Sequence, residues 1–129
     1  MKLIVIIEDN AVAANLYRAA LSREGYKIEV ATDGESGLDA ITRLKPDLVL
    51  LDLMLPKVDG ATVLRRIRAL PGFDQLPIIV TSNAYTAQRL DDLWKAGATQ
   101  IVTKASISPK DLARVVKETL DRMPPPPSQ

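Results

Sequence analysis

The chain has 129 residues, 47% hydrophobic and 26% charged, a composition that describes one globular domain with a real core rather than a disordered segment. It contains no cysteine and no histidine, which excludes a disulfide framework, a thiolate centre and histidine-based general-base or zinc chemistry. A formal net charge of +1 leaves no whole-protein footprint for nucleic acid.

The apolar run Leu3 to Ile7 predicts a buried strand. It stops at Glu8-Asp9 after about five residues, too short for a signal peptide or a membrane span, so a cytoplasmic protein is expected. Asn10 to Arg23 predicts a helix with Val12, Leu16, Ala19 and Ala20 on its apolar face, stopped by Gly25. Lys27 to Ala31 alternates like an edge strand. Asp33-Gly34 opens a second helix to Leu44, which Lys45-Pro46 ends, and Asp47 to Leu51 is an apolar strand closed by Asp52. A third helix covers Ala61 to Leu70, where Arg65, Arg66 and Arg68 read as a solvated basic face. Pro77 to Thr81 is a β-branched fourth strand, Thr86 to Lys95 a fourth helix ending at Gly97, and Thr99 to Thr103 a fifth strand. Ser108 is placed to cap a last helix that starts at Pro109 and runs to Arg122.

Five strands alternating with five helices imply an α/β domain, a (βα)5 doubly wound parallel sheet with helices on both faces. Strands 1, 3 and 4 are the most continuously apolar and belong in its centre. Residues 1–122 form the domain, and the proline run in 123–129 reads as an extended tail or a truncated linker.

In such sheets, sites form beyond the carboxyl ends of the strands, where the strand order reverses. Strand 1 ends in Glu8-Asp9, strand 3 in Asp52, strand 4 in Ser82 and strand 5 in Lys104. Taken singly, each has an ordinary explanation as a helix cap, a turn residue or a solvated lysine. Together they put three carboxylates, a hydroxyl and an ammonium at one edge. With the order 2-1-3-4-5, the acids of strands 1 and 3 are neighbours. Clustered carboxylates repel one another, and one remedy is a hard cation such as Mg²⁺, with Asp9 and Asp52 as direct ligands and Glu8 holding a coordinated water. Asp52 could then serve as a nucleophile toward phosphorus, with Lys104 balancing charge and Ser82 donating a hydrogen bond to the transferred group.

Over residues 2 to 122 the sequence resembles receiver domains of bacterial response regulators. The resemblance rests on Glu8-Asp9, on Asp47-Leu48-Val49-Leu50-Leu51-Asp52-Leu53-Met54-Leu55-Pro56 leading to Asp59-Gly60, on Pro77-Ile78-Ile79-Val80-Thr81-Ser82, and on Gly97-Ala98 seven residues before Lys104. It implies phosphotransfer to Asp52 from a sensor histidine kinase or phosphotransfer protein, and a Mg²⁺ site completed by the backbone carbonyl of Met54. The protein would then be an enzyme only in promoting its own phosphorylation and dephosphorylation. The resemblance also implies output through the face of helix 4, strand 5 and helix 5, which could also form a homodimer, and no direct contact with nucleic acid or membrane.

Three positions depart from that family's pattern. Ile101 stands where an aromatic ring is usual, so it can pack inward but has no ring to rotate. Ala105 follows the lysine where proline with a cis bond is usual. A cis bond to a non-proline residue costs about 2.5–4 kcal/mol, so a trans bond and a rerouted loop are expected there. Asn83 replaces a small residue after the hydroxyl, where it either narrows access or adds a hydrogen bond. The alternative function is a pseudo-receiver, a binding or dimerisation module whose output face is uncoupled from phosphorylation.

Overall fold

The computed structural model describes residues 1–55, 58–83 and 87–122. The expected proline-rich tail and the start of the predicted fourth helix at Thr86 lie outside the described residues. In chain order the elements are β1 (Leu3–Ile7), α1 (Ala11–Arg23), β2 (Lys27–Ala31), α2 (Gly34–Leu44), β3 (Leu48–Asp52), α3 (Gly60–Ala69), β4 (Ile78–Ser82), α4 (Ala87–Ala96), β5 (Gln100–Thr103) and α5 (Pro109–Arg122). The strands form one parallel sheet, as the alternation implied, and its order is β2-β1-β3-β4-β5, the one taken in placing the acids together.

Every residue of β3 and β4 is buried, and so are four of the five in β1, because helices cover both faces. Val5, Ile7, Val49, Leu51 and Val80 face α2, α3 and α4, joined by Ile41, Leu64, Ile67 and Leu93. Ile4, Ile6, Leu48, Leu50 and Ile79 face α1 and α5, joined by Tyr17, Leu21, Leu112 and Val116. Removing one such aliphatic side chain from water contributes roughly 1.5–3 kcal/mol, so these two layers are the main source of stability.

The helix starts follow local chemistry. Asn10 caps α1 by accepting from Ala13 N at 2.9 Å, Asp33 caps α2 from Ser36 N at 2.8 Å, and Asp59 caps α3 from Thr62 N at 3.0 Å. Ser108 accepts from Asp111 N at 3.0 Å, with Pro109 at the first helical position as expected.

Two sequence expectations fail. The buried stripe of α1 is Ala14, Tyr17 and Leu21, whereas Val12 and Leu16 are 70% and 51% exposed and Ala19 faces solvent. Small and apolar residues run round most of this helix, so periodicity had several stripes to choose from. The basic face of α3 is also divided. Arg65 and Arg66 are exposed, but Arg68 is half-buried and makes hydrogen bonds to backbone carbonyls.

Candidate functional site

Strand register builds the site. Ile7 lies opposite Leu51, so the next residues, Glu8 and Asp52, emerge side by side at the carboxyl edge. Asp52 pairs with Thr81, and Ser82 pairs with Thr103, which puts Lys104 one step beyond the end of β5. The predicted neighbourhood of Glu8, Asp9, Asp52, Ser82 and Lys104 is therefore a direct product of a parallel sheet with this order.

Glu8 and Asp52 are almost wholly enclosed, at 2% and 3% exposure, while Asp9 is open to solvent. Carboxylate oxygens of these three acids lie within 4.8 Å of one another. Lys104 Nζ reaches in from the opposite wall, 2.7 Å from Glu8 Oε1 and 3.4 Å from Asp52 Oδ2. The backbone fixes the remaining oxygens, since Asn10 N donates to Glu8 Oε2 at 3.1 Å and Met54 N donates to Asp52 Oδ1 at 3.1 Å. The short Lys104–Glu8 approach is an ion pair, and Glu8 Oε1 is otherwise buried without a hydrogen-bond partner.

Burial pushes the Glu8 carboxyl above its usual range. Lys104 and the Asn10 backbone pull it down, and the nearby Asp52 raises it again. Burial works against the Lys104 charge, but Glu8 and Asp52 outweigh it and hold the ammonium above its ordinary value. Tyr17, on the buried face of α1, went unnoticed in the sequence. Its phenol is raised by burial, lowered in part by Lys104, and raised again by Glu8 and Asp52, so it feels all three charges of the pocket. A tyrosine on a helix gives no sequence signal for that position.

Ser82 is 1% exposed at the end of β4, and Asn83 beyond it is exposed. Ile101 is partly buried against the layer of α2, α3 and α4. Among the described residues no peptide bond is cis. After Lys104 the bond to Ala105 is trans and the chain forms a 3₁₀ turn, Lys104–Ser106. From the start of that turn the lysine reaches both acids. Met54 is 64% exposed beside the pocket.

An acidic cluster of this kind is typical of a divalent-metal site. All its side-chain donors are hard oxygens, and Glu8 Oε1 lacks a hydrogen-bond donor, so the residues fit Mg²⁺.

A doubly wound parallel sheet with this acid–lysine edge defines a class of signalling domains, and comparison with known proteins makes the assignment specific. The family described as "Response regulator receiver domain" matches residues 4–117, and the chain belongs to that family of two-component response-regulator domains. It is 35% identical over 126 residues to a protein of Synechocystis sp. called "DNA-binding dual master transcriptional regulator RpaA", a match covering 96% of this chain and 52% of that protein. Over 116 residues it is 38% identical to "Response regulator MprA" of a Mycobacterium species, covering 89% of this chain and 49% of the relative. The chain thus spans about half the length of these curated relatives. Among solved structures, a response regulator receiver domain protein of Methanospirillum hungatei superposes with a TM-score of 0.88 at 27% identity, covering 95% of this chain and 96% of that one. No described helix is long and apolar enough to cross a membrane.

Proposed function

We propose that this domain is a phospho-acceptor switch that takes a phosphoryl group onto Asp52. One observation carries the reading: Asp52 is a buried carboxylate with an ammonium 3.4 Å from Oδ2 and two further acids at its side. A lone buried carboxylate would be costly, but one shared between a lysine and a cation site is tolerable and reactive.

In the proposed reaction an Asp52 oxygen attacks the phosphorus of a phosphohistidine on a sensor kinase or phosphotransfer protein. The new O–P bond forms as the P–N bond breaks, and the imidazole leaves with the electron pair. Mg²⁺, held by Asp9, Asp52 and the Met54 carbonyl with Glu8 on a coordinated water, would supply charge neutralisation for the transferring oxygens. Lys104 turns from Asp52 to the incoming group and keeps Glu8 paired. Ser82 donates its hydroxyl to a phosphoryl oxygen. Water later attacks the phosphorus, the P–O bond to Asp52 breaks, and inorganic phosphate leaves with the Asp52 carboxylate restored.

We read Asn83, Ile101 and Ala105 as the positions that set access and readout, with output or self-association through the α4-β5-α5 face in a cytoplasmic setting. The alternative, a module uncoupled from phosphorylation, is not favoured by kinship with working regulators.

The test is incubation with Mg²⁺ and acetyl phosphate, followed by intact-mass measurement. One phosphoryl group should add to the wild type and none to Asp52→Asn. Modification that persists in Asp52→Asn moves the acceptor elsewhere.

A further inference from the structure

Far from the acidic pocket, at the opposite end of the sheet, Arg68 makes an unusual set of contacts. Its Nε and Nη2 donate to Gly97 O at 3.0 and 2.6 Å, and Nη1 donates to Phe73 O at 2.9 Å and Leu76 O at 2.6 Å. Nη2 also reaches Thr99 Oγ1 at 3.4 Å, and that oxygen accepts from Ile78 N at 2.9 Å. One guanidinium therefore ties the end of α3, the α3–β4 connection, the end of α4 and the entries to β4 and β5. Its rigid fork of donors suits several carbonyls at once, which an ammonium cannot match.

Gly97 shows that the arrangement is built in. It turns α4 out at φ 109°, in the left-handed region, while Ala98 N closes the turn onto Leu93 O at 3.1 Å. A Cβ at Gly97 would sit 2.8 Å from Arg68 Nε and 2.9 Å from its Cγ. The positive guanidinium also lies against the carbonyl end of α4, where the helix dipole favours a cation.

We propose that Arg68 is the pivot of α4, a positioning residue that fixes the Gly97 end so that loading of Asp52 swings the opposite end, which begins beyond β4 and Ser82. The proposal rests on the phospho-acceptor reading. A ten-residue helix is about 15 Å long, so a tilt of roughly 10° about Gly97 moves its far end by about 2.5 Å and its pinned end hardly at all.

Amide hydrogen exchange read by NMR, with and without Mg²⁺ and beryllofluoride, tests this in the full chain. In the wild type, beryllofluoride should change exchange at Asp9, Leu53 and Leu90 to Leu93 and leave Gly97, Ala98 and Thr99 unmoved. In Arg68→Met, exchange at those last three should rise roughly 10- to 100-fold even without beryllofluoride, as charged hydrogen bonds are lost. The beryllofluoride response should then spread across them, and Arg68→Lys should restore only part of the boundary. Thr99→Val, which keeps the guanidinium, should loosen the same amides more weakly and serves if Arg68→Met fails to fold. A wild-type response as large at Gly97 as at Leu90, or an Arg68→Met domain that melts earlier with its response pattern unchanged, overturns the pivot. No response at Asp9 and Leu53 overturns the phospho-acceptor reading, and the pivot falls with it.

Discussion

Lys104→Met asks how the pocket holds two buried acids together. With charges 2.7 and 3.4 Å apart, the gross attraction at an effective dielectric of 20 is about 6 and about 5 kcal/mol. Most of that is cancelled by taking the groups out of water, and losing one partner of a buried ion pair typically costs 3–5 kcal/mol. The Lys104 side chain keeps 17% exposure and Glu8 can relieve the strain by taking up a proton, which places the loss at the lower end, about 3 kcal/mol. For 129 residues, 1 kcal/mol corresponds to about 4 °C, so the variant should melt roughly 11 °C below wild type without metal. Mg²⁺ should then rescue the variant more than the wild type, because in the wild type it competes with the ammonium for Glu8 and Asp52. A tenfold tighter metal constant would add about 1.4 kcal/mol, or roughly 5 °C, to the rescue. Scanning calorimetry at stepped Mg²⁺ concentrations reads both quantities. A variant as stable as wild type without metal, or Mg²⁺ shifts of equal size in the two proteins, would refute this account of the pocket.

Wild-type protein should itself gain about 2.7 kcal/mol at Mg²⁺ one-hundredfold above its dissociation constant, and no shift in melting temperature at saturating Mg²⁺ would remove the metal from the mechanism. Gly60→Ala should cost roughly 1–3 kcal/mol in denaturant unfolding and slow phosphorylation of Asp52, since the added Cβ meets Leu53 Cα at 2.6 Å and Asp52 O at 2.7 Å; an unaltered rate would mean that this backbone yields without disturbing Asp52. Burial raises the phenols of Tyr17 and Tyr26. Folded values above the unfolded one of about 10 mean that stability is full below that pH and falls as pH climbs toward the folded values. Tyr17→Phe should flatten that alkaline loss, with phenolate absorbance and unfolding followed together; an identical profile would mean Tyr17 titrates as if free.

Much of this was legible in the chain because strand ends carry both hydrophobic and chemical information. Leu3–Ile7 and Leu48–Leu51 announce buried strands, and the polar residues that stop them, Glu8-Asp9 and Asp52, become neighbours by register alone. What stayed hidden depends on direction rather than spacing. Nothing in the order of residues says that Lys104 sits closer to Glu8 than to Asp52, because that distance follows from how the 3₁₀ turn aims the side chain. The α1 stripe was ambiguous because alanines suit either side of a helix. Arg68 resembled its exposed neighbours Arg65 and Arg66, since its short hydrogen bonds go to backbone carbonyls up to 29 residues away, which leave no mark in side-chain identity.

The contact at Gly60 has a consequence for how the domain divides its labour. Gly60 N donates to Leu53 O at 2.9 Å, and the absent side chain lets α3 press directly on the strand end that carries Asp52. Backbone against backbone leaves no rotamer to adjust, so α3 and the acid-bearing strand form a single anvil. On the proposed reading, a group added to Asp52 would meet no give on that side. The displacement would then fall across the pocket on the wall of β4, β5 and Lys104, and this one-sidedness would give a chemical event at a single carboxylate a fixed direction on the molecular surface.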